Sequence, residues 1–356
     1  MVQETAQRPM EEHKKNVTIR DVARKAGVSI ATVSYALNGK TGRFSAETLD
    51  TIRTVMDELG YEPDFTARSL ARGKNMLLGL MLPLTGPLSS PNYLLRDNPF
   101  YNEFTDAIME VAGERGYDII VRGLSSADES LPWIQKRRPD GIIYLGFFPD
   151  VEERKLVQSG MPVVLVDTKP DVNPRFPRVC TDEYAAARCA VDSLIAHGHR
   201  RIALLSGKVE ENYINSQRRR AYVDSLSDAG VHADESLIVD STISFDGGYR
   251  GGLALLERGL DCTAAFCMAD IMALGLMSCM REHDVAVPGR LSVMGYDDIG
   301  LCRYFVPSLS TVRQDIRMKG MEAARMLIAE IEDGARSPGP RVIPHSLQLR
   351  KTVSRI

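Results

Sequence analysis

Residues Val17 to Gly39 read VTIRDVARKAGVSIATVSYALNG, and this spacing builds two short helices around a tight turn. Thr18 followed by Asp21 has the form of a capping box, which starts the first helix near Ile19. Ile19, Val22, Ala23 and Ala26 recur at helical spacing, and Gly27 tolerates the positive φ of a turn. Ser29 then caps a second helix that carries Val33, Ala36 and Leu37 inward. The pattern is a helix-turn-helix. Its second helix turns Ile30, Ala31, Thr32, Ser34, Tyr35 and Asn38 outward, a set poorly suited to a core and well suited to a DNA major groove. Ile30 and Ala31 fit thymine methyls and Tyr35 a base edge, while Thr18, Ser29, Thr32, Ser34 and Asn38 carry groups that bond phosphate oxygens. A third helix runs from Ser45 with the stripe Leu49, Ile52, Val55, Met56 and Leu59, and Gly60 ends it. An ordinary α-helical domain over residues 17–62 shows the same periodicity, and the continuation separates the two readings.

After Glu62 and Pro63 comes DFTARSLARGKN, an Arg-rich segment with a single Leu, which alone in water is mostly unfolded. Here the chain resembles the lactose-repressor (LacI/GalR) family of bacterial transcription regulators: Val17 to Ala26, the turn Gly27-Val28-Ser29, and Ala67-Arg68-Ser69-Leu70 look like that family's motifs. The resemblance implies a hinge helix within residues 63–75 that folds on operator DNA. Leu70 would wedge into the minor groove, flanked by Ala67 and Ala71. Two positions depart from the family. Asp64 stands where relatives often carry Asn, and Ala71 where many carry a basic residue, which leaves Arg68, Arg72 and Lys74 to attract phosphate.

A chain of 356 residues with 44% hydrophobic and 26% charged content reads as soluble, with two or three domains. A net charge of −3 is unusual for a DNA binder. Local charge matters more, and Arg20, Arg24, Lys25, Lys40 and Arg43 face only Asp21 across the first two helices and the following loop. The six cysteines, Cys180, Cys189, Cys262, Cys267, Cys279 and Cys302, lack the paired spacing of zinc or redox sites and read as buried, reduced thiols. Residues 1–16 are polar and read as a disordered tail without a signal peptide or membrane anchor, so a cytoplasmic location is expected.

From Met76 onward β-rich runs alternate with amphipathic helices, the mark of βα units and parallel sheets. Expected strands are Leu77 to Leu82, Asp118 to Val121, Gly141 to Leu145 and Val163 to Val166, then a second series at Val179 to Thr181, Ile202 to Leu205, Ala264 to Met268 and Leu291 to Gly295. Two such series make two doubly wound lobes, which bind ligands where strand carboxyl ends face each other. The stretches GHRRIALLSG (Gly198 to Gly207) and VMGYDDI (Val293 to Ile299) resemble family signatures. They imply a type I periplasmic-binding-protein-like core over residues 76–356. The first lobe then spans about 76–166 and 314–338, the second about 168–307 and 342–356, with crossings near Asp167, Pro307 to Gln314 and Arg336 to Ile343.

The same resemblance maps an effector site onto Phe100, Tyr101, Asp167, Arg218, Ile243, Asp270 and Asp297. Carboxylates and a guanidinium are apt partners for a polyhydroxylated ligand. Ile243 replaces a common Trp or Phe, Ala269 replaces a frequent Asn, and the loop from Thr85 to Asp97 is longer than usual. A sugar or related polyol is the leading expectation and a purine or other metabolite the next. No cofactor or metal is expected. One helix-turn-helix reads a half-site, so a homodimer on a roughly palindromic double-stranded operator follows. An enzyme is disfavoured by the absence of a phosphate-binding loop, dinucleotide fingerprint, zinc-protease helix or nucleophile elbow, and no catalytic residue is assigned. His197 and His199 read as turn contacts. A transport receptor, the other rival, is disfavoured by the N-terminal helices.

Overall fold

A computed structural model of the protein describes residues 17–37, 44–61, 74–83, 98–124, 130–146, 150–170, 174–207, 212–336 and 339–356. The chain divides into two compact units, residues 1–75 and 76–356. The expected tail, most of the hinge segment, and the long loop with Tyr93 lie outside the described residues.

In the first unit, α1 (Ile19–Ala26), α2 (Ile30–Leu37) and α3 (Ala46–Leu59) close on one small core. Val22, Val33, Ile52 and Val55 are buried there, together with Tyr61. Gly27 adopts φ 68°, which lets α1 stop and α2 leave in a new direction. Ser45 caps α3 by accepting from the Thr48 amide, and Gly60 ends it in the left-handed region. Tyr61 closes the core from the chain position just after that stop, beyond the reach of the helical periodicity.

The second unit holds two six-stranded sheets. In chain order its strands are β1 (Leu77–Pro83), β2 (Asp118–Leu124), β3 (Gly141–Leu145), β4 (Val163–Val166), β5 (Arg178–Cys180), β6 (Ile202–Ser206), β7 (Ile238–Asp240), β8 (Ala264–Cys267), β9 (Ser292–Asp297), β10 (Ser310–Gln314), β11 (Arg341–Val342) and β12 (His345–Gln348). The first sheet is ordered β11-β5-β4-β3-β1-β2 and the second β12-β10-β9-β8-β6-β7. All pairings are parallel except β10 with β12. The helices are α4 (Pro99–Glu114), α5 (Leu131–Arg137), α6 (Asp150–Ser159), α7 (Glu183–Ala196), α8 (Tyr213–Asp228), α9 (Phe245–Glu257), α10 (Asp270–Glu282) and α11 (Ile316–Asp333). Helix α11 packs beside α4 on the first sheet, while α7 and α8 pack together on the second. In each sheet the direction of winding reverses beside the first strand of its lobe, which opens a crevice at the carboxyl edge.

The lobe boundaries differ from the sequence expectation. The short strand near Val179 belongs to the first sheet: Leu165 pairs with Arg178 and Val166 with Val179. The chain therefore crosses between lobes after Cys180, and Asp167 begins a return loop within the first lobe. At the other end Arg341 and Val342 pair with β5, so the second lobe resumes only at β12. Three-residue and two-residue strands carry too few side chains for alternation to reveal which sheet they join.

One helix pair is unusually close. The Cβ that Gly275 of α10 lacks would lie 2.0 Å from the Phe245 carbonyl oxygen, and that of Gly248 of α9 would lie 2.0 Å from the Met272 carbonyl oxygen. The glycines of FDGGYRGG thus allow α9 and α10 to meet backbone to backbone.

Candidate functional site

In the first unit, α2 presents the face assigned to DNA. Ile30 and Ala31 are exposed, and Thr32, Ser34 and Tyr35 are half-buried around the buried Val33. Ser29 Oγ accepts from the Thr32 amide at 3.1 Å and lies 2.9 Å from the Thr32 hydroxyl. The Thr18 amide and hydroxyl both donate to Asp21 Oδ2, at 3.0 and 2.7 Å. A phosphate at Thr18 must therefore draw the hydroxyl proton away from the cap. Asn38, Ala67, Leu70 and Ala71 lie outside the described residues. Asp21 lies 3.4 Å from Arg24, but the basic segment also meets Glu58 of α3, 2.8 Å from Lys25 Nζ, an acid from outside the segment that its local charge does not include.

In the second unit, polar side chains gather where strand ends meet the crossings. Asp167 follows β4 with φ 51°, Asp297 closes β9 with φ 128°, and Asp298 has φ 62°. Aspartate enters the left-handed region more readily than most side chains, whereas the φ of 128° at Asp297 lies outside that basin and must be held by its surroundings. Lys319 of α11 donates to Asp167 Oδ2 and to Gln314 Oε1, each at 2.6 Å, and Gln314 Nε2 donates to Asp297 Oδ1 at 2.5 Å. Arg218 of α8 donates to Glu183 Oε2 through Nε at 2.8 Å and Nη2 at 2.7 Å, and through Nη1 to the Met268 carbonyl. Its guanidinium lies 3.6 Å over the Tyr296 ring, whose hydroxyl donates to the same Glu183 oxygen at 2.8 Å. The chain of bonds Asp167–Lys319–Gln314–Asp297 joins the first lobe to the second at a crossing.

All of these groups are buried, and Lys319 is 0% exposed. Burial pushes the Asp297 carboxyl well above the usual range, more than Arg218 and Gln314 draw it back. Burial also raises Asp167, with the Lys319 ammonium opposing it. Among the described residues, Asp167 Oδ1, Thr168 Oγ1, Thr181 Oγ1 and Glu183 Oε1 are buried without a hydrogen-bond partner. Such atoms are costly to leave unpaired, and these four lie just past the ends of β4 and β5 and at the start of α7, while Thr105, Tyr117, Arg122, Ser225 and Glu330 carry others elsewhere.

The other expected residues fall in different settings. Phe100 and Tyr101 lie in the first turn of α4 at the carboxyl end of β1, ring centroids 5.7 Å apart and edge to face, and both are buried in the main apolar cluster. Ile243 is half-buried, and a Cβ on Gly207 would lie 2.9 Å from it, which places it beside the end of β6 as an apolar wall. Asp270 departs from its assignment. It is 0% exposed, and its oxygens accept from the Thr311 hydroxyl at 2.6 Å, the Ile299 amide at 3.0 Å and Cys302 Sγ at 3.1 Å. Burial, opposed by these bonds, pushes it up to about 6. Asp270 is therefore a clamp beneath the site that holds the chain after β9.

Glu183, Gln314, Tyr296 and Lys319 were not expected from sequence. Lys319 left one signal: it falls on the buried stripe of α11 with Ile316, Ala323 and Leu327, where a lysine has no ordinary place. The cysteines also need correction, since Cys180 and Cys189 are only half-buried, although all six are free thiols. His197 Nδ1 lies 2.7 Å from the Ser193 carbonyl oxygen, and His199 bridges Thr263 and the Ser354 carbonyl at 2.9 and 3.1 Å, so both serve local structure. Among the described residues no cluster of His, Cys, Asp and Glu can hold a metal ion, and no helix is long and apolar enough to cross a membrane.

Comparison with known proteins bears on both units. The family described as bacterial regulatory proteins, lacI family, matches residues 18–64, and the periplasmic binding protein-like domain matches residues 191–353. The HTH-type transcriptional repressor PurR of Vibrio atlanticus is 32% identical over 323 residues, covering 89% of this chain and 92% of that protein. The Lac repressor dimer bound to operator and the anti-inducer ONPF is similar with a TM-score of 0.80 at 26% identity, over 95% of this chain and 99% of that one. The transcriptional regulator CelR in complex with cellobiose has a TM-score of 0.69 at 26% identity, over 95% of this chain and 100% of that one.

Proposed function

Because the chain belongs to the lacI family of bacterial regulatory proteins, we propose that it is a DNA-binding repressor whose operator affinity is set by a sugar in the cleft of its second unit. One observation carries the ligand half of this reading: four unpaired buried oxygens lie at the carboxyl edge and first crossing, beside a bonded array of Asp167, Lys319, Gln314, Asp297, Arg218 and Glu183. Hydroxyl groups of a sugar supply the donors these oxygens lack. The CelR complex with cellobiose supports the same class.

The DNA half rests on α2. Ile30, Ala31 and Tyr35 meet base edges in the major groove, and Thr18, Ser29, Thr32, Ser34 and Asn38 meet phosphates. Leu70, between Ala67 and Ala71, is assigned to the minor groove. The acting species is a homodimer on a roughly palindromic operator. Its contact face is supplied by the segment after β9, where Tyr304 and Val306 are 81% and 88% exposed beside a groove of about 290 Å³ lined by Met277, Val285, Val287 and Phe305. Apolar side chains so open to water are typical of an interface.

Selection from random duplexes followed by binding titration tests this reading. The enriched sequences are expected to be two-fold symmetric, and with about six to ten phosphate contacts log affinity falls against log salt with a slope of roughly −5 to −9. Absence of enrichment, or a flat salt dependence, contradicts it.

A further inference from the structure

Resting on the cleft reading above, we propose that Lys319 determines which ligands the cleft accepts. Its ammonium and the unpaired oxygen of Asp167, both buried in the unliganded cleft and reached when the lobes part, together read one hydroxyl group of an uncharged polyhydroxy ligand, and ligands bearing an anionic group are turned away.

An ammonium has three N–H donors, and Lys319 spends two, on Asp167 Oδ2 and Gln314 Oε1, each at 2.6 Å. Asp167 Oδ1, on the same carboxylate, is buried with no partner among the described residues. A hydroxyl satisfies both at once: its proton goes to Asp167 Oδ1 and its lone pair accepts the third N–H of Lys319. Parallel pairing of β4 with β5 sets Val166 beside Val179, so Thr168 follows the end of β4 by two residues and Thr181 follows the end of β5 by one. Their two hydroxyls and Glu183 Oε1 are, like Asp167 Oδ1, buried without a partner among the described residues. A ligand with several hydroxyls matches this set.

Charge decides against anions. Lys319 is matched by Asp167 at 2.6 Å and Arg218 by Glu183 at 2.7 Å, so both cations are already neutralised. An added carboxylate or phosphate would be buried without a counter-charge and would face the unpaired carboxylate oxygens of Asp167 and Glu183, a costly arrangement at low dielectric. Asp297 does not alter this balance, since it contributes no positive charge.

The test is a thermal-shift and calorimetric panel of neutral mono- and disaccharides, each paired with its uronate, aldonate or phosphorylated counterpart, with hypoxanthine as a purine probe. At least one neutral sugar is expected to bind the wild-type protein while its anionic counterpart does not. The Lys319→Met/Asp167→Asn protein carries no unpaired buried charge, and its folding is confirmed by circular dichroism. It should bind that sugar about 10- to 100-fold more weakly. The deoxy analogue lacking the contacted hydroxyl should lose a similar factor in wild type and nothing further in the variant. An anionic counterpart that binds as tightly as its parent overturns the proposal. So does a variant within twofold of wild type, a panel with no neutral binder, or hypoxanthine as the sole ligand. Binding of the unliganded protein to its selected duplex is measured in parallel. If that persists while the panel fails, the assignment to Lys319 falls and the DNA-binding reading stands.

Discussion

Replacing Arg218 by methionine is expected to destabilise the second unit by about 3–5 kcal/mol, because it strands a buried carboxylate. Arg218 is 6% exposed and Glu183 4%. Two of the three contacts on Glu183 Oε2 come from the guanidinium, and the third comes from the Tyr296 hydroxyl. With the guanidinium gone, the Met268 carbonyl also loses its donor and the Tyr296 ring loses its stacked cation. Urea unfolding checks the loss. A second variant identifies its cause: Arg218→Met combined with Glu183→Leu removes both charges and should recover most of the stability. If the single variant costs under about 1 kcal/mol, the pair is solvated and the cleft is not the closed array described above.

Gly275→Ala is the other large effect, expected at about 3 kcal/mol, the upper end for overpacking. The added methyl would stand 2.0 Å from the Phe245 carbonyl oxygen and 2.8 Å from the Tyr249 amide nitrogen, both of them backbone atoms of α9. A side chain could rotate away, but here the helix itself must move, and it carries with it the chain near Ile243. Gly259→Ala is the comparison. That glycine has φ 81° and open space around its missing Cβ, so only backbone strain of about 1–2 kcal/mol applies. Equal losses for the two substitutions would show that the α9–α10 contact yields.

The sequence was most informative where structure is local. Thr18, Asp21, Gly27 and Ser29 act on neighbours within four residues, so their capping and turning could be read directly from spacing. The cleft was legible only in part. Asp167, Arg218 and Asp297 came from the resemblance, and the structure gathers them near the crossings. Lys319 and Asp167 are 152 positions apart, and the two that join Gln314 to Asp297 are separated by 17, so only the fold brings them into one chain of bonds. Asp270 had the right residue type and position, after a strand, but its partners Thr311 and Cys302 arrive from 41 and 32 residues away and close it off. The short strand at Arg178–Cys180 misled for a related reason: its sheet is decided by its partner, and three residues say little about that partner.

Coupling between the two units is the centre of this account, and linkage makes it measurable from either side. Affinity of the selected duplex for the protein should be measured with and without a saturating neutral sugar from the panel, and sugar affinity with and without the duplex. A change of about 5- to 150-fold is expected, with the same factor in both directions. A sugar that binds the cleft and leaves duplex affinity unchanged would contradict it.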